Sequence, residues 1–186
     1  MVNFVINDTQ VQVEEGRTVL EVAREQDIGI PTLCYHEELT PYGACRLCLV
    51  EIVDGGRPGL QASCVYKVTD GLHVRTDTER VQKARKIVFE LLLARCPDAE
   101  RLRELAAEYG VTGTRIELKG KENCILCGLC VRACAEISER NARAFAGRGA
   151  GRKVQTPFDK TSEKCIGCGA CAFLCPLSAL KVEEGE

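Results

Sequence analysis

Apolar and polar residues alternate along Val2–Asn7 and again along Val11–Glu14, and the polar run Asn7-Asp8-Thr9 between them predicts a β-hairpin. The period then changes. Thr18-Val19-Leu20-Glu21 supplies the hydroxyl and carboxylate of a capping box, and Val19, Val22 and Ala23 mark one face of a helix that Gly29-Ile30-Pro31 ends. A hairpin followed by a helix laid across it is how a β-grasp domain begins. Leu49–Val53 predicts a further strand, which turns at Asp54-Gly55-Gly56 and returns toward Cys64; Gly71–Thr76 predicts the last one. Thr76-Asp77-Thr78-Glu79 then caps a helix running to about Arg95, with Val81, Ala84, Val88, Leu91 and Leu92 expected on its buried side and Cys96-Pro97 breaking it. A second short helix, Asp98–Tyr109, places Leu102, Leu105, Ala106 and Tyr109 at helical spacing and stops at Gly110. From Lys119 onward cysteine replaces apolar periodicity as the organising signal.

Thirteen cysteines in 186 residues, with no Trp and one Met, set this chain apart from an average globular protein. Two stretches read C-x2-C-x2-C-x3-C: Cys124, Cys127, Cys130 and Cys134, then Cys165, Cys168, Cys171 and Cys175. This is the spacing that holds a cubane [4Fe-4S] cluster, with three thiolates from one tight loop and the fourth cysteine serving the other cluster. Cys124, Cys127, Cys130 and Cys175 are therefore expected to hold one cubane, and Cys165, Cys168, Cys171 and Cys134 the second. Small residues between them (Gly128, Gly167, Gly169, Ala170) let the backbone approach inorganic sulfur and aim its N–H groups at it. Pro176 completes the C-P ending of the second motif, where the first has Ala135. The competing reading is a pair of zinc sites, but zinc favours separated C-x2-C pairs closing one tetrahedron, and each run here offers a triplet plus an outlier.

Upstream, Cys34, Cys45, Cys48 and Cys64 are spaced C-x10-C-x2-C-x15-C, a variant of the plant-type [2Fe-2S] pattern with its distant fourth ligand. Gly43 and Ala44 keep that loop slim. A four-cysteine zinc site is the rival, and the β-grasp context weighs against it. A Rieske centre needs two histidines paired with two cysteines. Cys45-Arg46-Leu47-Cys48 supplies cysteine instead, so His36 reads as a loop residue and His73 as a strand-surface one. Cys96 has no nearby cysteine and reads as a small buried side chain outside the ligand sets.

The start of the chain shows no basic segment followed by an apolar run, so no secretory signal is expected, and no apolar stretch is long enough to span a bilayer. Dense cysteine without secretion means metal rather than disulfides, in a reducing cytoplasm. The formal net charge of −2 becomes about −8 once twelve ligand thiolates and three oxidised clusters are counted, which speaks against nucleic acid as a partner. Arg140, Arg143, Arg148, Arg152 and Lys153 form a basic run, yet no aromatic residues alternate with them as stacking platforms would. No G-x-G-x-x-G follows a strand, so no flavin or nicotinamide site is expected on this chain, nor is there a credible nucleophile–base pair. Each half is small for a hydrophobic core alone, so cluster ligation must supply folding free energy. The acidic tail, Glu183-Glu184-Gly185-Glu186, is expected to fray.

Pro31-Thr32-Leu33-Cys34-Tyr35, Gly43-Ala44-Cys45-Arg46-Leu47-Cys48, Ala62-Ser63-Cys64, the run from Arg85 to Leu93, Cys130-Val131-Arg132-Ala133-Cys134, Gly147-Arg148-Gly149, Pro157-Phe158 and the last cubane motif carry a family resemblance. The chain resembles the N-terminal portion of the large iron–sulfur subunit of bacterial NADH:quinone oxidoreductase. It is also similar to the diaphorase iron–sulfur subunit of NAD-reducing hydrogenases and to the electron-input domains of [FeFe]-hydrogenases and formate dehydrogenases. One part is missing: where that family opens a [4Fe-4S] site held by one histidine and three cysteines, this chain has Ala94-Arg95-Cys96-Pro97-Asp98 and no C-x2-C after it. The expectation is an α+β chain with a β-grasp [2Fe-2S] ferredoxin domain over residues 1–78. A short helical spacer over 79–118 and a bacterial-type double [4Fe-4S] ferredoxin domain over 119–186 would follow. The resemblance implies an electron-transfer subunit of a cytoplasmic hetero-oligomer. It would relay single electrons between an NAD(P)H-linked flavoprotein subunit, docked at the [2Fe-2S] end, and a catalytic or ferredoxin-reducing subunit. A free polyferredoxin shuttle is the alternative. The absent cubane leaves open whether one unbroken path joins the two ends of the chain.

Overall fold

The structure is a computed structural model that describes residues 1–118 and 122–182; the acidic tail from Glu183 and the first residue of the double-cubane segment, Lys119, lie outside the described residues. The first hairpin forms as the alternation predicts. β1 (Val2–Ile6) pairs antiparallel with β2 (Thr9–Val13) across the two-residue turn Asn7-Asp8, where Asn7 takes φ 56°. Asparagine tolerates this left-handed conformation better than most side chains. α1 (Val19–Glu25) opens with the capping box read from the sequence: the Glu21 N–H donates to Thr18 Oγ1 at 3.3 Å, and the Thr18 N–H to Glu21 Oε2 at 2.8 Å. It ends at Glu25, four residues before Gly29, because Asp27 turns left-handed and the Ile28 N–H reaches back to the Ala23 carbonyl at 2.8 Å.

β3 (Leu49–Asp54), β4 (Gly59–Ala62) and β5 (His73–Arg75) complete a five-stranded sheet ordered β2-β1-β5-β3-β4, with β1 and β5 parallel and the other pairs antiparallel. Phe4 and Ile6 from β1, Val50 and Ile52 from β3, and Val74 from β5 bury against Val19, Leu20, Val22 and Ala23 of α1. Sheet plus crossing helix is the β-grasp arrangement. Its core stands largely without the cysteines, of which only Cys48 and Cys64 belong to it.

α2 (Glu79–Arg95) departs from the expected cap and face. Its N-cap is Thr78, whose Oγ1 accepts from the Val81 N–H at 3.2 Å, whereas Thr76 is tied to Asn7 by its own N–H at 2.9 Å. The buried stripe is Val81, Arg85, Phe89 and Leu93; Ala84, Val88 and Leu92 are half-buried and Leu91 is exposed. An arginine replaces the expected leucine in the contact because the helix lies on the exit of the cysteine loop, where backbone carbonyls lack strand partners. Arg85 donates from Nε to the Leu47 carbonyl at 3.2 Å and from Nη2 to the Leu49 carbonyl at 2.7 Å. These two carbonyls flank Cys48, and burial holds the guanidinium below the ordinary arginine pKa. Replacing Arg85 with Met strands both carbonyls, and relief from burying a cation offsets only part of that loss. We expect a net destabilisation of about 2–4 kcal/mol, measured by urea unfolding of the cluster-loaded protein.

α3 (Glu100–Glu108) buries Leu102 and Ala106. The two helices are more than a spacer. Phe89, Leu93, Cys96 and Leu102 share one apolar cluster with Cys34, Cys45 and Leu47 on one side and with Ile125, Cys127 and Leu129 on the other. The last third of the chain is different. α4 (Leu129–Arg132) widens into a π turn over Ala133–Ile137, β6 (Ala144–Ala146) and β7 (Lys153–Gln155) form a hairpin, and α5 (Ala170–Phe173) is one turn long. Beyond Ala142 none of the described residues is buried. Among the described residues, no helix is long and apolar enough to cross a membrane.

Candidate metal centres

Cys34, Cys45, Cys48 and Cys64 reach one buried point from three places: the loop after α1, the turn before β3 and the end of β4. All four side chains are buried. The Cys45 N–H donates to Cys34 Sγ, and the Cys48 and Cys64 sulfurs stand in hydrogen-bond contact, each pair at 3.4 Å. The loop turns between Cys45 and Cys48 at Arg46, which adopts φ 60°. A non-glycine side chain holds this conformation at a cost of about 1 kcal/mol, accepted where the surroundings dictate it. In the metal-free chain the crowded thiols share protons. Hydrogen bonds from Cys45 and Cys64 pull Cys34 far below the ordinary thiol value, and one from Cys64 lowers Cys48. Cys45 and Cys64, which donate those protons, are pushed up. Four buried thiols brought together fit a thiolate-ligated metal group, since a thiolate needs a cation to be stable in such surroundings.

The two C-x2-C-x2-C-x3-C runs are interleaved in space. One cavity of ≈ 160 Å³ is lined by Cys124, Cys127, Cys130 and Cys175; a second, of ≈ 450 Å³, by Cys134, Cys165, Cys168 and Cys171. Each cavity is thus lined by the first three cysteines of one run and the last cysteine of the other. Backbone N–H groups point at sulfur in both places: Leu126 donates to Cys124 Sγ at 3.4 Å, Ala179 to Cys175 Sγ at 3.2 Å, and Ala142 to Cys134 Sγ at 3.2 Å. Equivalent loop positions share a fold. Gly128 and Gly169, each before a one-turn helix, have φ 75° and 73°, and Leu126 (φ 55°) stands where the second loop has Gly167 (φ 69°). The donor sets, the aimed N–H groups and the cavities fit cubane clusters.

The first cubane site is the more buried. Cys127 and Cys130 lie inside, and burial pushes their thiols up to about 12 and about 11, whereas Cys165 and Cys168 are exposed. Long-range contacts fasten the first site to the N-terminal loop. Arg132, between Cys130 and Cys134, donates from Nη2 to the Cys34 carbonyl at 2.7 Å and from Nη1 to the Thr40 carbonyl at 2.6 Å, and the Thr40 N–H donates to Glu136 at 2.7 Å. Arg95, at the end of α2, donates to the Cys124 carbonyl at 2.7 Å. Tyr42 stacks on Phe145 with centroids 6.0 Å apart, and Arg152 covers that ring at 4.0 Å while donating to the Tyr42 hydroxyl. Part of the basic run is thereby spent on internal packing.

Cys96 lines neither cavity, is fully buried, and has its thiol raised to about 11 by burial. At pH 8 the reactive thiolate is therefore scarce. We expect C96A to retain its full iron content, and iodoacetamide to label Cys96 only after unfolding, as read by peptide mass spectrometry. His36 accepts from the Glu38 N–H in its own loop at 3.2 Å; His73 is half-buried in β5 rather than at the strand surface. Sequence reasoning gave Arg85 and Arg132 no role of their own, although both lie in stretches that carry the family resemblance, and did not single out Ser138. The spacing of four along Val81, Arg85, Phe89 and Leu93 signals the first.

Residues 1–79 match the 2Fe-2S iron–sulfur cluster binding domain family and residues 122–179 the 4Fe-4S dicluster domain family. The chain is 32% identical over 204 residues to the NADH-ubiquinone oxidoreductase 75 kDa subunit of Reclinomonas americana, covering 97% of this chain and 29% of that protein. It is 31% identical over 216 residues to the NADP-reducing hydrogenase subunit HndD of Solidesulfovibrio fructosivorans, covering 99% of this chain and 36% of the relative. The chain thus spans about a third of the length of these curated relatives. Among solved structures, the NAD+-reducing [NiFe]-hydrogenase in the H2-reduced state contains a chain that superposes with a TM-score of 0.82 at 29% identity, covering 96% of this chain and 86% of that one.

Proposed function

We propose that this chain, which joins a 2Fe-2S binding domain to a 4Fe-4S dicluster domain, is the iron–sulfur electron-transfer subunit of a cytoplasmic hetero-oligomeric oxidoreductase. Cys34, Cys45, Cys48 and Cys64 hold the [2Fe-2S] cluster. Cys124, Cys127, Cys130 and Cys175 hold one cubane, and Cys165, Cys168, Cys171 and Cys134 hold the other. When bound, these groups supply one-electron storage and transfer and no bond-making chemistry. The observation that carries the reading is the shared packing of the first two sites. Cys34, Cys45 and Cys127 line one apolar cluster, and Arg132 ties the backbone of Cys34 to the turn between Cys130 and Cys134. That contact spans 98 residues and supports a short path from the N-terminal site to the cubane pair without a third cubane. The side chains around these sites fix the loops against one another.

Relatives named as NADH-ubiquinone oxidoreductase and hydrogenase subunits support an NAD(P)H-linked flavoprotein as electron partner at the N-terminal end. They also support a catalytic or ferredoxin-reducing subunit at the other. Phe158 and Phe173 are 92% and 88% exposed, and Ile166 is exposed beside Cys165. Large apolar residues left on a surface next to a metal site favour a face covered in an assembly over a free shuttle. Affinity capture of the tagged chain from its native host, with flavin, iron and nickel or molybdenum analysis of what is retained, tests this. We expect a flavoprotein to be retained and NADH to reduce the retained complex but not the isolated chain. A chain that emerges alone in every preparation contradicts the subunit reading.

A further inference from the structure

The two cubane sites differ in what their cysteines touch. In the first, the hydrogen bonds to sulfur among the described residues come from backbone N–H groups, those of Leu126 and Ala179 among them. In the second, a side chain joins in: Ser138 Oγ lies 3.2 Å from Cys168 Sγ. Ser138 closes the π turn that carries Cys134, so the first motif reaches across to a ligand of the second. A cysteine bound to iron has no proton, which fixes the direction: the serine hydroxyl donates and the sulfur accepts. The surroundings lean the same way. Among the described residues that line the second cavity, four are cationic (Arg140, Arg143, Lys160 and Lys181) and one, Asp159, is a carboxylate, whereas Arg95, Lys153 and Glu122 line the first.

We infer that Ser138 is a potential-setting donor, whose hydroxyl makes the cubane held by Cys134, Cys165, Cys168 and Cys171 the more easily reduced of the two. Reduction adds negative charge to the sulfurs, so a donor at Cys168 stabilises the reduced state more than the oxidised one, and hydrogen bonds to sulfur are among the features that set cluster potentials. The first electron to enter the pair then rests at the more exposed site, beside Ile166 and Phe173. This inference rests on the crossed ligand sets proposed above.

The test is an EPR-monitored redox titration of the cluster-loaded chain, wild type against S138A and S138T, with the second cubane identified as the signal missing in C165A. At the potential where that site is half reduced in the wild type, S138A should shift its reduced-to-oxidised ratio about three- to tenfold toward oxidised, tenfold being 59 mV for one electron. The first cubane and the [2Fe-2S] cluster should stay in place, and S138T, which keeps a hydroxyl, should restore the ratio. Two intact cubane signals with unchanged midpoints in S138A overturn the inference while leaving the ligand sets standing. So do equal shifts in both cubanes, or a failure of S138T to restore the ratio. A wild-type protein without two cubane signals overturns both.

Discussion

C124A and C175A are expected to abolish the same cubane, although the two cysteines lie in different motifs. Each single variant should lose about four irons, and the double variant C124A/C175A should lose no more than either alone. C124A/C134A, whose positions belong to one motif but line different cavities, should lose about eight. The physical reason is the handover at α4 and α5. Each three-cysteine loop ends in a short helix, and the fourth cysteine leaves from its far side toward the neighbouring cavity. Iron analysis of the purified variants checks the pattern. Loss of about eight irons from C124A/C175A means that each motif closes its own site, and it sinks the crossed assignment.

The second large effect concerns what holds the C-terminal third together. Beyond Ala142 none of the described residues is buried, whereas the β-grasp half carries Phe4, Ile6, Leu20, Val50, Ile52 and Leu72 at 2% exposure or less. Such a surface cannot offset the conformational entropy of ordering some forty residues, at about 1–2 kcal/mol of backbone entropy each. Metal–thiolate bonds must supply the difference. Removing iron with a chelator under anaerobic conditions should therefore abolish amide-exchange protection across residues 143–182. β1, β3 and α1 should keep most of theirs. Protection retained throughout the metal-free chain contradicts this account of stability.

Much of this was legible in the sequence, for reasons specific to each element. The hairpin of β1 and β2 and the capping box at Thr18 are local, set by alternation and by a hydroxyl three residues from a carboxylate. The cysteine sets were legible because cluster geometry fixes spacing tightly. The face of α2 was misjudged: an apolar stripe through Val88 and Leu91 looks better by hydropathy than one through Arg85. What the site required was a donor for the Leu47 and Leu49 carbonyls, and that need exists only once the loop is folded. Thr76 and Thr78 are equally good caps on paper, and the contact with Asn7, 69 residues away, decides between them. Arg132 acts across 98 residues and Ser138 across 30, so neither role has a signature in its own stretch of chain. The helical segment read as a spacer because its role in the core depends on residues far from it in sequence, at Leu33 and Leu129.

The claim on which the rest depends is that this chain carries three iron–sulfur clusters of two kinds. Iron and acid-labile sulfide analysis of anaerobically purified protein, joined to EPR after stepwise reduction, measures this most directly. The account predicts about ten irons and ten sulfides per chain, with one [2Fe-2S] and two interacting [4Fe-4S] signals. A colourless, EPR-silent protein holding zinc in their place contradicts it.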